Sequence, residues 1–146
     1  VVEGTVRTFA GEVLDLIERR MQTIAEATCA AFEATCEFEF RRQYPATVNH
    51  VNETEFIRRV IGELSGEQNV LEFRPTMVAE DFSYFLQHKP GCYFLIGNGD
   101  GAHRPGDHGG GPCLLHNPSY DFNDELIPLG ATMWVRLVEA WFARKA

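Results

Sequence analysis

A chain of 146 residues that is 45% hydrophobic and holds 11 Phe has the apolar material for one modest folded domain or two small ones, which excludes a disordered polymer. Its formal net charge of -8 argues against nonspecific nucleic-acid binding, where Lys and Arg must neutralise phosphates, and Arg41-Arg42 is too short a basic run to reverse that. A membrane-spanning helix needs about 20 apolar residues; no such run stands out, so no membrane partner is expected.

Residues 1–9 (VVEGTVRTF) alternate weakly, which predicts a strand. They hold no basic segment followed by an apolar one, so no secretory leader is expected. Residues 12–36 place Leu14, Ile17, Met21, Ile24, Thr28 and Phe32 three and four apart, predicting a helix with that face inward. Glu12 and Asp15 stand near its start, where the helix dipole favours negative charge. Residues 36–44 (CEFEFRRQY) alternate at period two, predicting a half-buried strand. The order so far is β-α-β. Residues 45–56 (PATVNHVNETEF) collect Pro, Asn and Thr and mark a connection, with a domain boundary near residue 50.

Residues 53–64 predict a second helix with Phe56, Ile57, Val60, Ile61 and Leu64 inward, stopped by Ser65-Gly66. A short strand is expected near residues 70–74. AEDFSYFLQH (79–88) predicts a short helix with Glu80 and Asp81 in its first turn and Pro90-Gly91 after its end. CYFLIG (92–97) is a continuous apolar run, suited to a strand buried on both faces. NGDGAHRPGDHGGGPC (98–113) is a glycine-rich loop of the length that usually serves function. Ile127–Phe142 predicts a last helix, with Pro128 in its first turn and Leu129, Met133, Leu137 and Trp141 recurring every four. The composite pattern predicts an α/β fold.

Cys29, Cys36, Cys92 and Cys113 form no CxxC pair. They read as reduced thiols of a cytoplasmic protein, with two disulfides arithmetically open. Among the histidines, His103, His108 and His116 are spaced by five and eight, which matches neither HExxH nor a compact zinc finger. His116 lies between Leu114-Leu115 and Asn117-Pro118. It is either a core histidine bonded to a carbonyl or an imidazole at an element edge facing a cleft. Glu80 and Asp81 point in different directions on any regular element, so they serve one metal together poorly; helix capping competes with a role in a site. Arg7 is either a solvated edge arginine or a clamp for a substrate carboxylate. The glycines of 97–111 lack phosphate-loop spacing but permit close backbone approach to a ligand.

GTVRTF (4–9), YPATVN (44–49), MVAEDFSYF (77–85), PGCYFLIGNG (90–99) and LHNPSYDFND (115–124), in that order, resemble the M20 metallopeptidase family, and most of all its amidohydrolase branch of hippurate hydrolases and other N-acyl-amino-acid amidohydrolases. The resemblance implies a fold: residues 1–49 as the second half of an inserted βαββαβ lid, or dimerisation-type, domain, and residues 50–146 as the C-terminal portion of an α/β catalytic domain. It implies roles too. His116 becomes a metal ligand. Arg7, Gly97, Gly99 and Asn117 become substrate-binding residues. Glu80 and Asp81 support the site. Val78 departs from the glycine usual before the acidic pair. The remaining metal ligands and the glutamate general base are expected upstream of Val1, so no catalytic residue is assigned here and this chain alone is expected to be inactive.

For the complete protein the resemblance implies hydrolysis of the amide bond of an N-acyl amino acid or small peptide, with one or two divalent ions, Zn or Mn. It also implies a missing N-terminal half or companion chain, and a homodimer when complete. Two rival readings stand beside it: a noncatalytic fragment or split-chain partner, and an amino-acid-binding or regulatory relative without hydrolase activity.

Overall fold

In the computed structural model, residues 1–104 and 113–144 are described. Among the described residues, four α-helices form where apolar residues recur at three and four: α1 (Gly11–Ala31), α2 (Val51–Ser65), α3 (Phe82–His88) and α4 (Leu126–Ala143), with one 3-10 turn at Glu67–Asn69. The chain divides into two units, Val1–Glu53 with Glu72–Tyr93, and Thr54–Leu71 with Phe94–Ala146.

The α/β expectation is overturned. No β-strand forms among the described residues, so the predicted strands at 1–9, 36–44, 70–74 and 92–97 are irregular or extended backbone. The α/β catalytic domain and the βαββαβ lid expected from the resemblance are therefore not the fold of the described residues. The reason is visible at residues 36–41, where Cys36, Phe38 and Phe40 are half-buried while Glu37, Glu39 and Arg41 are exposed. The period-two alternation is genuine. Alternation produces two unlike faces, but a strand also needs a neighbour that takes its N–H and C=O groups.

At Tyr93 a side chain fills that place. The Asn49 amide accepts the Tyr93 N–H at 2.7 Å and donates to the Tyr93 carbonyl at 2.8 Å. Next to it, the His50 N–H donates to the Gly91 carbonyl at 3.0 Å, and the Gly91 N–H donates to His50 Nδ1 at 3.2 Å. Without sheet neighbours, the run predicted to be buried on both faces leaves Leu95 57% and Ile96 41% exposed.

In the first unit, α1 covers Leu14 and Ile17 as its periodicity suggests, but not the rest of that stripe. Leu14, Ile17, Glu18, Ala25 and Cys29 are half-buried, whereas Met21, Ile24 and Phe32 are exposed. The helix ends in a Schellman turn: Ala34 N–H donates to the Cys29 carbonyl at 3.0 Å and Glu33 N–H to the Ala30 carbonyl at 3.1 Å. Glu33 takes the left-handed conformation, φ 56°, where glycine is preferred because it lacks Cβ. Replacing Glu33 with Gly is therefore expected to stabilise the first unit by about 0.5–1 kcal/mol. The urea midpoint of the helical circular-dichroism signal checks this, and an unchanged or lowered midpoint contradicts it. Ser83 and Leu86 of α3 are buried in the same unit.

In the second unit, α2 and α4 carry the core. Phe56, Val60, Met133 and Leu137 are buried together, with Ile57, Ile61, Leu64, Phe94 and Ala140 packed against them. Trp141 meets Phe56 edge-on at 5.6 Å, and the Arg144 guanidinium lies 4.7 Å from the Phe56 ring centre. The inward faces of α2 and α4 are those their periodicity predicts. By length and hydropathy α4 is also apolar enough to cross a membrane, with mean hydropathy 1.2. Met133 and Leu137 of this helix are buried against α2, and on its surface Arg136 pairs with Glu139 at 2.9 Å.

Candidate functional site

Arg7, Glu80 and Asp81 belong to the first unit, and Gly97, Gly99, His116 and Asn117 to the second. Within each unit their surroundings follow from local chemistry.

Arg7 is exposed in the extended segment before α1, between half-buried Val6 and Thr8. Among the described residues it makes no hydrogen bond or ion pair, so its fork of donors is open to an anion. Glu80 is half-buried just before α3. Its carbonyl accepts the Ser83 hydroxyl at 2.6 Å and the Ser83 N–H at 3.2 Å, which leaves its carboxylate to other partners. Burial, then the Glu80 hydrogen bond and charge, then the Asp81 charge push the Tyr93 phenol above its ordinary pKa. Asp81 is exposed at the N-cap position of α3 but its side chain makes no cap hydrogen bond. Val78 is absent from the described non-glycine residues with positive φ, which are Glu33 and His116; a β-branched residue there keeps ordinary backbone geometry.

In the second unit, His116 stands in a turn with φ 69° and an exposed side chain. The left-handed region is uncommon for non-glycine residues, though histidine visits it more often than most, and strain of this kind clusters at functional sites. The turn is organised by Asn117: its N–H donates to the Leu114 carbonyl at 3.3 Å, its carbonyl accepts Tyr120 N–H at 2.9 Å, and its side-chain oxygen accepts Ser119 N–H at 2.8 Å. Asn117 is thus tied up in shaping the turn. Gly97 has open space where a Cβ would stand. Gly99 has φ 84°, so there the backbone itself calls for glycine.

Two residues that motif reading passed over hold this region together. Asn98 donates to the Asp121 carbonyl at 2.8 Å and accepts Asn123 N–H at 2.9 Å. His103 bonds the same Asp121 carbonyl through Nε2 at 3.0 Å, which assigns its proton to that nitrogen. The Asn-Gly pair at 98–99 signals a turn, but nothing in the sequence names its partners twenty-odd residues away. Asn98→Ala leaves the Asn123 amide and Asp121 carbonyl without these partners, at a cost of about 1–3 kcal/mol. It is expected to speed hydrogen exchange at the Asn123 amide while sparing Val60 in the core. Unchanged protection at Asn123 would show that the bond does not hold the segment. His108 lies outside the described residues.

A groove of about 460 Å³ between α2 and α4 is lined by Arg59, Glu63, Arg136, Glu139 and Arg144, among others, and by none of the candidate residues. Among the described residues no group of three or more His, Cys, Asp or Glu side chains could hold a metal ion. Catalytic zinc takes three protein ligands and an open position. His116 is a single donor, so the described residues do not by themselves fit a hydrolytic metal centre.

The sequence of residues 2–140 matches the model of peptidase family M20/M25/M40. It is 32% identical over 133 residues to thermostable carboxypeptidase 1 of Saccharolobus solfataricus, covering 89% of this chain and 31% of that protein. It is 30% identical over 136 residues to the Arabidopsis thaliana IAA-amino acid hydrolase ILR1-like 4, covering 90% and 30%. It is 28% identical over 137 residues to the hippurate hydrolase of Campylobacter jejuni, covering 93% and 33%. This chain thus spans about a third of the length of these relatives. No solved structure gives a significant match.

Proposed function

Because this chain belongs to peptidase family M20/M25/M40, we propose that it is one part of a hydrolase of the amidohydrolase branch and is noncatalytic by itself. The observation that carries this reading is the donor set: no metal-binding trio exists among the described residues, while hydrolysis through a metal needs several ligands and a base. The span of about a third of the relatives' length supports it. In this reading residues 1–49 belong to a lid-type domain and residues 50–146 to the C-terminal portion of the catalytic domain. The completing polypeptide is a missing N-terminal half or a companion chain, and the completed protein is a homodimer.

The names of the hippurate hydrolase and the IAA-amino acid hydrolase support an N-acyl amino acid as substrate and scission of its amide bond. His116 is assigned as one ligand of a centre holding Zn or Mn. Arg7 is assigned to the substrate carboxylate, which its open guanidinium suits. Gly97, Gly99 and Asn117 are assigned to backbone and pocket contacts with substrate, and Glu80 and Asp81 to support of the site.

The test is a chimera with this chain fused behind the portion of the C. jejuni hippurate hydrolase that it does not match. Alone, with zinc or manganese supplied, the chain is expected to leave hippurate intact; the chimera is expected to hydrolyse it. Hydrolysis by the chain alone would overturn the noncatalytic reading. A chimera that binds metal but hydrolyses nothing from a broad acyl-amino-acid panel would favour the amino-acid-binding relative instead.

A further inference from the structure

A pair of cysteines in the first unit stands outside every role assigned above. Two independent features bring them together. The Schellman turn at the end of α1 folds the chain back on Cys29, whose carbonyl accepts both Phe32 N–H and Ala34 N–H at 3.0 Å. Further along, Arg42 clasps the same helix, meeting Asp15 at 2.6 Å and Glu18 through Nε at 2.8 Å.

These anchors set a register. Six residues of extended chain back from Arg42 cover about 20 Å. Eleven residues of helix on from Glu18 cover about 16 Å. Both paths arrive at the same level, with Cys36 beside Cys29. The inner faces agree: Cys29 ends the half-buried stripe of α1, and Cys36 begins the half-buried side of the extended segment that continues with Phe38 and Phe40. Both thiols are half-buried and free.

We propose that Cys29 and Cys36 form a thiol modification site, which a peroxide oxidises reversibly to an intramolecular disulfide. One thiolate attacks the peroxide; its O–O bond breaks, the sulfur becomes a sulfenic acid, and the other oxygen leaves protonated as water or an alcohol. The second sulfur then attacks the sulfenic sulfur. The S–S bond forms, the S–O bond breaks, and the hydroxyl departs with the second thiol's proton as water. The two sulfurs together lose two electrons and the peroxide gains them. The product staples the end of α1 to the segment that follows it. Burial first, then the Cys29 thiol and the Glu26 carboxylate, raise the Cys36 pKa, which suits Cys36 to the second, resolving step.

The experiment exposes the folded chain to hydrogen peroxide, alkylates the remaining thiols and digests with trypsin. The peptide Met21–Arg41 contains Cys29 and Cys36 and no other cysteine. Its expected fate is to lose two hydrogens and both alkylation sites, and to regain them after dithiothreitol. In the urea-unfolded chain the same cross-link is expected to form about tenfold more slowly, because folding raises the effective concentration of one thiol at the other. The variant Cys36→Ser is expected to trap Cys29 as a sulfenic acid. Equal rates in folded and unfolded chains would overturn the proposal. So would full alkylation of both cysteines after peroxide, or a cross-link from either one to Cys92 or Cys113.

Discussion

Phe56→Ala is expected to destabilise the second unit by about 3–5 kcal/mol. Phe56, Val60, Met133 and Leu137 are the buried members of its core, so truncating the one aromatic ring among them opens a cavity that few neighbours can fill. It also removes the edge-on partner of Trp141 at 5.6 Å and the ring under Arg144 at 4.7 Å. Folded domains of this size hold only about 5–15 kcal/mol in reserve, so a large part of the margin disappears. Both tryptophans of the chain, Trp134 and Trp141, lie in α4, so tryptophan fluorescence during urea unfolding reports this unit directly. Met133→Leu is the companion variant; it keeps volume and is expected to cost less than about 1.5 kcal/mol. A Phe56→Ala loss no larger than that of Met133→Leu would show that the α2–α4 contact is not what stabilises the unit.

The second large effect is expected at His116 in the completed protein. His116→Asn suits the left-handed backbone, which asparagine tolerates, while removing the imidazole. It is expected to weaken zinc or manganese binding at least about 100-fold, and hydrolysis should fall with metal content. Arg7→Ala should behave differently: metal content stays, while KM for substrates with a free carboxylate rises about tenfold to a hundredfold, the worth of a charge-assisted hydrogen bond. Amide-capped analogues should barely notice the change. Metal titration followed by isothermal calorimetry, and kinetics on paired acid and amide substrates, separate the two residues. Intact metal affinity in His116→Asn would remove His116 from the ligand set, and an unchanged preference for the free acid in Arg7→Ala would remove the carboxylate clamp.

The core of the second unit was legible in its periodicity. Phe56 and Val60 on α2, and Met133 and Leu137 on α4, recur at four and are buried as that spacing predicts. The face of α1 was less legible. Its apolar stripe runs through Met21 and Ile24, yet Ala25 and Cys29 are the more buried, because the segment it packs against contributes ion pairs through Arg42 as well as apolar contact. The candidate residues could be named from motifs, but their conformations could not. The Tyr93 phenol beside Glu80 and the Asn98 bridge to residues 121–123 depend on chain segments remote in sequence, and the left-handed backbone of His116 belongs to a local turn that no motif announces.

By itself, then, the sequence determined where the helices lie, which faces of α2 and α4 turn inward and to which family the chain belongs. Tertiary structure alone decided that the alternating segments stay unpaired, that Asn49 takes a strand neighbour's place beside Tyr93, and which side of α1 is covered. The physical reason is the reach of the hydrogen bond: a helix closes its ladder within four residues of its own chain. A strand must find its donors and acceptors on another stretch of backbone, and alternation cannot say whether one is there.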